Sequence, residues 1–237
     1  MANNYDKLFR EYQKTHTKPD KQYSMLPTVL KLAMPLNNKI VVDVGCGDGF
    51  FLFGFAKKAK KVYGIDNSKK QIDEAKKYTT QNTRFIFSDM LDFNYPKSDI
   101  INTPFVLGYI KSTKTILKLF QKFYSSLNKN GKIIGIIDAP KSSVHDNKMF
   151  GSVKTIESLK EGTKLKIDLY DNEKIVSLNA FYHTKETIED LLRRAGFTDI
   201  KWHEPIISKV GIKRHGAKFW GKYLNNIDIT YFTAKKL

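Results

Sequence analysis

Within residues 39–138 the hydrophobic pattern switches repeatedly between two periods. Short β-branched runs stand at KIVVDVG (39–45), KVYGID (61–66), TRFIFSD (83–89), DIINT (99–103) and KIIGIID (132–138). Helical patterns lie between several of them. Residues 50–59 are rich in Phe and Ala. Ser68 is placed to cap the next helix, with Gln71 completing a capping box and Ile72, Ala75 and Tyr78 or Thr79 turned inward. Residues 113–127 carry Ile116, Leu119, Phe120, Phe123 and Leu127 on one face. Continuous apolar runs suit strands buried on both faces, and their alternation with helices predicts an open parallel α/β sheet covered on both sides. Right-handed crossovers leave few topologies for it.

The flanks read differently. Tyr5, Leu8, Phe9 and Tyr12 share a helical face, HTKPDK (16–21) reads as a loop, and a second helix covers about 24–34, with Pro27 in its first turn and Pro35 stopping it. After Pro140, residues 141–163 are polar and irregular. TKLKIDLY (163–170), the DNE turn (171–173) and KIVSLNAFYHT (174–184) predict a β-hairpin. Thr184 caps a helix that Gly196 closes, and strands follow at about 197–207 and 227–235, separated by the basic, aromatic stretch KVGIKRHGAKFWGKYL (209–224). The expected organisation is one domain over 1–237: a helical cap at 1–35, a core at 36–140, an insert or lid at 141–183, and a closing helix and strands at 184–237.

The sharpest motif is VVDVGCGDG (41–49), a strand ending in Asp43-x-Gly45-x-Gly47-x-Gly49 before a helix. Glycines there permit a sharp turn and close approach of a ligand to the backbone. Phe50 stands where a dinucleotide fingerprint needs its third glycine, and no phosphate-loop Lys-Ser/Thr pair follows. Asp43 and Asp48 add negative charge, which disfavours a pyrophosphate and favours an amino group. Asp66 ends the second strand, where a carboxylate accepts both hydroxyls of a ribose. Asp89 ends the third, in reach of an adenine amino group. Three carboxylates on consecutive strand ends suit a cationic adenosyl amino acid.

At these residues the sequence resembles the class I S-adenosylmethionine-dependent methyltransferases, over about residues 24–138. VVDVGCGDG is similar to the family's D-x-G-x-G-x-G motif, GIDNS (64–68) to its acidic loop and SDM (88–90) to its adenine-contacting segment. The resemblance implies a Rossmann-like seven-stranded, mostly parallel sheet with an antiparallel last strand, extended here by the helical cap and the β-hairpin insert after the fifth strand. It implies S-adenosylmethionine as cofactor and S-adenosylhomocysteine as product. Gly45, Cys46 and Gly47 would pass under the methionyl part, Asp66 would hold the ribose with Asn67 and Gln71 beside it, and Asp89 and Met90 would hold the adenine. Asn102 and Thr103 would approach the sulfonium end, and Tyr5 and Tyr12 would close over the cofactor. Structural alternatives stand beside these roles: Asp43 as a brace, Asn67 as a turn residue, Gln71 as a cap partner, Cys46 as a small filler, and the two tyrosines as core packing.

For the methyl acceptor, INTPFVLGYIKS (101–112) and FYHTKETIEDLLRRAGF (181–197) resemble small-molecule N-methyltransferases of the toxoflavin-synthesis type. An amine needs only a neutral lone pair, whereas a hydroxyl needs a general base. Candidates around the acceptor are Phe105, His145, Phe150, Tyr182 and Trp220, with His183 and Tyr109 as catalytic candidates. Each histidine could equally be a surface or helix-start residue. The rival reading is an RNA or protein methyltransferase. It draws on a net charge of +17, of which 201–237 carries +6. Lysine supplies most of that charge, and only five residues are Arg, the side chain that best matches phosphate and guanine edges. A further alternative is a cofactor-binding protein without turnover. The single cysteine, Cys46, excludes an internal disulfide or a Cys-rich zinc site, and no metal is expected. No run approaches the roughly 18 apolar residues of a membrane helix. The polar N-terminus lacks a secretory core. A cytoplasmic protein, monomeric or homodimeric, is expected.

Overall fold

The computed structural model describes residues 4–171 and 173–237. Helix α1, Tyr5–Lys14, starts where Asn4 accepts the Lys7 N–H at 3.1 Å. A π-type turn, Lys21–Met25, leads into α2, Leu26–Ala33. The alternating core then runs β1 Ile40–Val44, α3 Leu52–Ala56, β2 Lys61–Asp66, α4 Lys69–Lys76, β3 Thr83–Phe87, β4 Ser98–Pro104, α5 Thr113–Ser126 and β5 Leu127–Asp138. β6 Val144–Asn147, β7 Ser152–Ile156, β8 Lys164–Asp171 and β9 Glu173–Phe181 follow. The chain closes with α6 Lys185–Arg194, β10 Thr198–His203, α7 Lys209–Asn225 and β11 Ile229–Lys235.

The main sheet has seven strands in the order β10-β11-β5-β4-β1-β2-β3, and β11 runs antiparallel to both neighbours. This is the expected Rossmann-like sheet. β1 pairs with β2 on one side and β4 on the other, so the strand order reverses at β1. Open α/β sheets bind ligands at the carboxyl ends of strands beside such a reversal. One face buries Val29, Ala33, Leu52, Phe55, Ile72, Trp220 and Tyr223; the other buries Ile116, Phe120, Phe123, Ile188 and Leu191.

Three parts differ from expectation. The hairpin of β8 and β9 exists, but β6 and β7 extend it to a four-stranded antiparallel sheet in the order β6-β7-β8-β9. Residues 141–163 hid these strands because their inward residues include His145, Asn147 and Lys154, so no apolar alternation marks them. Position 172 of the expected turn lies outside the described residues. The basic stretch between the last strands is helix α7, kinked at Gly216, whose φ is +79°. The expected helix at 50–59 is shorter, Leu52–Ala56, because the glycine loop takes up its first residues.

Candidate active site

The end of β1 and the loop after it are held by the neighbouring strand. The Gly45 and Cys46 N–H groups donate to the Ile65 carbonyl at 2.8 and 3.0 Å. Gly45 and Gly47 have φ of +66° and +55°, and a Cβ at Gly45 would stand 2.7 Å from Val106 Cγ2. Asp66 ties two loops together. Its Oδ2 accepts the Gly47 N–H and its Oδ1 the Ser68 N–H, each at 2.8 Å. Because Asp66 takes the Ser68 N–H, Gln71 does not close the expected capping box, although the Ser68 hydroxyl accepts from the Gln71 N–H. The Gln71 side chain instead lines a cavity, where its buried Oε1 has no hydrogen-bond partner among the described residues. The glycine cradle and this unpaired acceptor fit a hydroxyl-bearing adenosyl ligand.

The cavity measures about 300 Å³ and lies over the carboxyl ends of β1, β2 and β4. Three layers enclose it. Gly45, Cys46, Gly47, Asp66, Asn67, Met90 and Phe105 line it from the sheet edge. Tyr5, Tyr12, His16 and Lys21 line it from the N-terminal cap, and Asn179 and Phe181 from β9 of the insert. Tyr109, in the turn after β4, lines it too, and its hydroxyl is hydrogen-bonded to that of Tyr5. The Tyr5 and Tyr12 rings meet edge-on at 5.4 Å. Asp48 accepts from Gln13 Nε2 at 3.1 Å and stands 3.4 Å from His16 Nδ1.

Burial dominates the electrostatics here. It raises the phenols of Tyr5, Tyr12 and Tyr109 above their ordinary range, with nearby phenol and carboxylate charges adding to it. Burial, with Lys21 beside it, pushes His16 down to about 3, so its imidazole is neutral. Burial also pushes the Lys21 ammonium down to about 8 and holds Asp48 and Asp66 above the usual carboxylate range.

Several other candidates lie outside the lining. Asp89 sits between the lining residues Ser88 and Met90, and its Oδ1 turns back to the Leu91 N–H at 2.8 Å. Asn102 and Thr103 are fully buried in β4; Asn102 Nδ2 donates to Asp43 Oδ1 at 2.7 Å, beneath the glycine loop. Tyr182 follows Phe181, so strand alternation turns it to the apolar core of the insert. His183 has both ring nitrogens engaged, with Glu161 and the Ile110 carbonyl, and tethers the insert to the turn after β4. His145 likewise has both ring nitrogens engaged, with the Lys141 N–H and with the Asn226 carbonyl at the end of α7. Phe150 packs on Phe219 and Tyr223, and Trp220 is buried with its Nε1 donating to the Gly211 carbonyl at 2.8 Å. Tyr182, His183, His145, Phe150 and Trp220 are absorbed in packing and tethers, and none of the five lines the cavity.

Sequence reasoning passed over His16, Lys21, Phe50, Asn179 and Phe181. His16 falls four residues after Tyr12, a spacing that continues the helical face, but HTKPDK read as a loop. Asn179 and Phe181 share a face of β9, opposite Leu178 and Ala180. Only the position of the insert over the sheet shows what that face covers.

The profile of a family described as "Methyltransferase domain" matches residues 36–196, more than half of the chain. The chain belongs to the methyltransferase family. That membership and this fold fit an enzyme that draws on S-adenosylmethionine. A tRNA U34 carboxymethyltransferase of Helicobacter pylori (strain P12) is 32% identical over 124 residues, covering 47% of this chain and 46% of that protein. A carboxy-S-adenosyl-L-methionine synthase of Wolinella succinogenes is 33% identical over 108 residues, covering 43% and 45%. This chain therefore spans about half the length of these relatives. Among solved structures, an S-adenosylmethionine-dependent methyltransferase of Mesorhizobium loti aligns over 94% of this chain and all of its own, with a TM-score of 0.64 at 16% identity, a likeness of fold. No helix among the described residues is long and apolar enough to cross a membrane.

Proposed function

We propose that this methyltransferase-family protein transfers a methyl group from S-adenosylmethionine to a nitrogen of a small molecule held in the cavity. The observation that carries this reading is a cavity walled by Tyr5, Tyr12, Tyr109, His16 and Phe105, whose carboxylates are already engaged, Asp48 with Gln13 and Asp66 with the Gly47 and Ser68 N–H groups. The three lining tyrosines are held in their neutral form, and His16 has lost its basicity. A hydroxyl acceptor needs a base to take its proton, whereas a neutral amine brings its own lone pair. The cofactor, when bound, supplies the electrophilic methyl group, and the protein's work is then orientation and exclusion of water.

In this reading Gly45, Cys46 and Gly47 lie against the methionyl part. Asp66, Asn67 and Gln71 hold the ribose, and Met90 covers the adenine, with the free Asp89 oxygen for its amino group. Asn102 acts through Asp43 on the loop, with Thr103 beside it. Tyr5, Tyr12, Phe105 and Tyr109 surround the reacting centre. His183 and His145 are positioning residues that hold the insert in place, while Phe150, Tyr182 and Trp220 support the walls.

A second reading has a specific observation behind it. Lys209, Lys213, Arg214, Lys218 and Lys222 are all exposed on α7, which carries no acidic residue, and such a helix suits an RNA acceptor. The tRNA carboxymethyltransferase named among the relatives points the same way. One experiment separates the two: transfer of labelled methyl from S-adenosylmethionine into a cell extract, divided into small-molecule, RNA and protein fractions. Label in the small-molecule fraction supports the amine reading. Label in RNA, released by ribonuclease, replaces it with the second. Cofactor binding with no label transferred rejects both and leaves a binding protein.

A further inference from the structure

Lys21 lines the cavity where the cap meets the glycine loop, and its Nζ is held there by two contacts. It donates to Thr15 Oγ1 at 2.6 Å and lies 4.5 Å from the centre of the Tyr12 ring. Thr15 is fully buried, and its own hydroxyl proton goes to the Tyr12 carbonyl at 2.7 Å. The hydroxyl is therefore a fixed acceptor that aims the ammonium, and it uses only one of the three ammonium hydrogens. Among the described residues no carboxylate forms an ion pair with Lys21. Lys154 shows the contrast. That buried ammonium lies 2.7 Å from Asp138 Oδ1 and 3.1 Å from Asp228 Oδ2. A charge withdrawn from water is costly unless it is paired. Neighbouring His16, being neutral, adds no competing positive charge, and Asp20 and Asp48 act on Lys21 only at longer range.

We propose that Lys21 is a recognition residue for a carboxylate carried by a ligand of this cavity. The proposal rests on the methyltransferase reading for its choice of ligands. Two sources have this chemistry: the amino-acid end of the cofactor, or an acid group on the methyl acceptor, which would then be an amine that is also a carboxylate. The ammonium, the Thr15 hydroxyl and the Tyr12 face form one preset corner for either.

The test uses the full chain, wild type, Lys21→Met and Lys21→Arg, with folding checked by circular dichroism. Calorimetry measures S-adenosylhomocysteine and 5′-methylthioadenosine, the second of which lacks the amino-acid end. The side-chain resonance of Lys21 is followed in protein carrying labelled lysine, assigned by its loss in Lys21→Met, during titration with each nucleoside and with a panel of amino acids. A charge-assisted contact predicts a loss of roughly tenfold to a hundredfold. If Lys21→Met loses that much for S-adenosylhomocysteine and nothing for methylthioadenosine, the carboxylate belongs to the cofactor. If both nucleosides bind unchanged but an amino acid shifts the Lys21 resonance, the carboxylate belongs to the acceptor. In the first case Lys21→Arg should recover part of the loss. The proposal is overturned if Lys21→Met binds as wild type and no carboxylate moves the resonance. Failure of both nucleosides to bind the wild type would count against the methyltransferase reading, while the amino-acid titration would still decide the role of Lys21.

Discussion

Asp66 accepts two backbone N–H groups from two different loops, so one carboxylate shapes the glycine turn and the start of α4 together. Its place at the end of β2 was legible from the sequence, because a strand end followed by Asn-Ser is a local pattern. Its second use, as a tie to Gly47, is a contact between strands. Asp66→Ala is expected to weaken S-adenosylhomocysteine binding by roughly tenfold or more in calorimetry, through loss of charge-assisted hydrogen bonds; an unchanged Kd would remove Asp66 from the site. Asp43 behaves differently. It is fully buried beneath the loop, and burial pushes it up to about 7 although Asn102 donates to it. A carboxyl that is harder to ionise when folded makes folding less favourable as pH rises from its ordinary 3.8 towards 7. Asp43→Asn removes that titration, so its thermal midpoint should gain on wild type between pH 4 and pH 7, taken from those two values. Parallel pH profiles for the two proteins would show that Asp43 does not titrate in this range.

Helix α1 shows how one element closes the site. Its inner face carries Tyr5, Leu8 and Tyr12, which pack against the insert sheet. Asp6 latches its start to the core. Asp6 Oδ1 accepts the Ser68 hydroxyl at 2.6 Å and the Lys70 N–H at 3.0 Å, capping α4 from outside. Asp6→Ala is expected to cost about 1 kcal/mol, as loss of a helix cap does. It should also speed S-adenosylhomocysteine release severalfold in a surface-binding experiment. An unchanged dissociation rate would mean that α1 does not gate the cavity. Elements were legible where their period was clean. The strands β1 to β5 and the helix α5 carry unbroken apolar runs or a single apolar face. α7 was hidden by three glycines, one of which breaks its helical geometry. β6 and β7 were hidden by polar residues that face inward.

Those inward polar residues join the two sheets of the molecule. Lys154 of β7 reaches Asp138 at the end of β5 and Asp228 just before β11, and it also donates to the Asp228 carbonyl at 2.7 Å. Ser152 adds a hydrogen bond to Asp228 at 2.9 Å. Burial raises Asp228, but Lys154 and Ser152 outweigh it and hold the carboxyl below its usual range. Lys154→Met leaves two buried carboxylates facing each other and is expected to destabilise the fold by roughly 3–5 kcal/mol in denaturant unfolding. Adding Asp138→Asn should recover part of that loss. A stable single variant would mean that this bridge does not anchor the insert. The sequence by itself determined the alternating core, the glycine loop, the carboxylates on consecutive strand ends, and through them the family and its cofactor. Each of these signals lies within a few consecutive residues, where period and turn chemistry act directly. The tertiary structure alone decided which side chains share the cavity. It brought His16 and Lys21 from the cap, and Asn179 and Phe181 from the insert, over the end of β1, and it turned His145, His183 and Trp220 away. Those choices depend on docking between elements distant in the chain, and a side chain's facing is set by the partner surface it meets rather than by its neighbours in sequence.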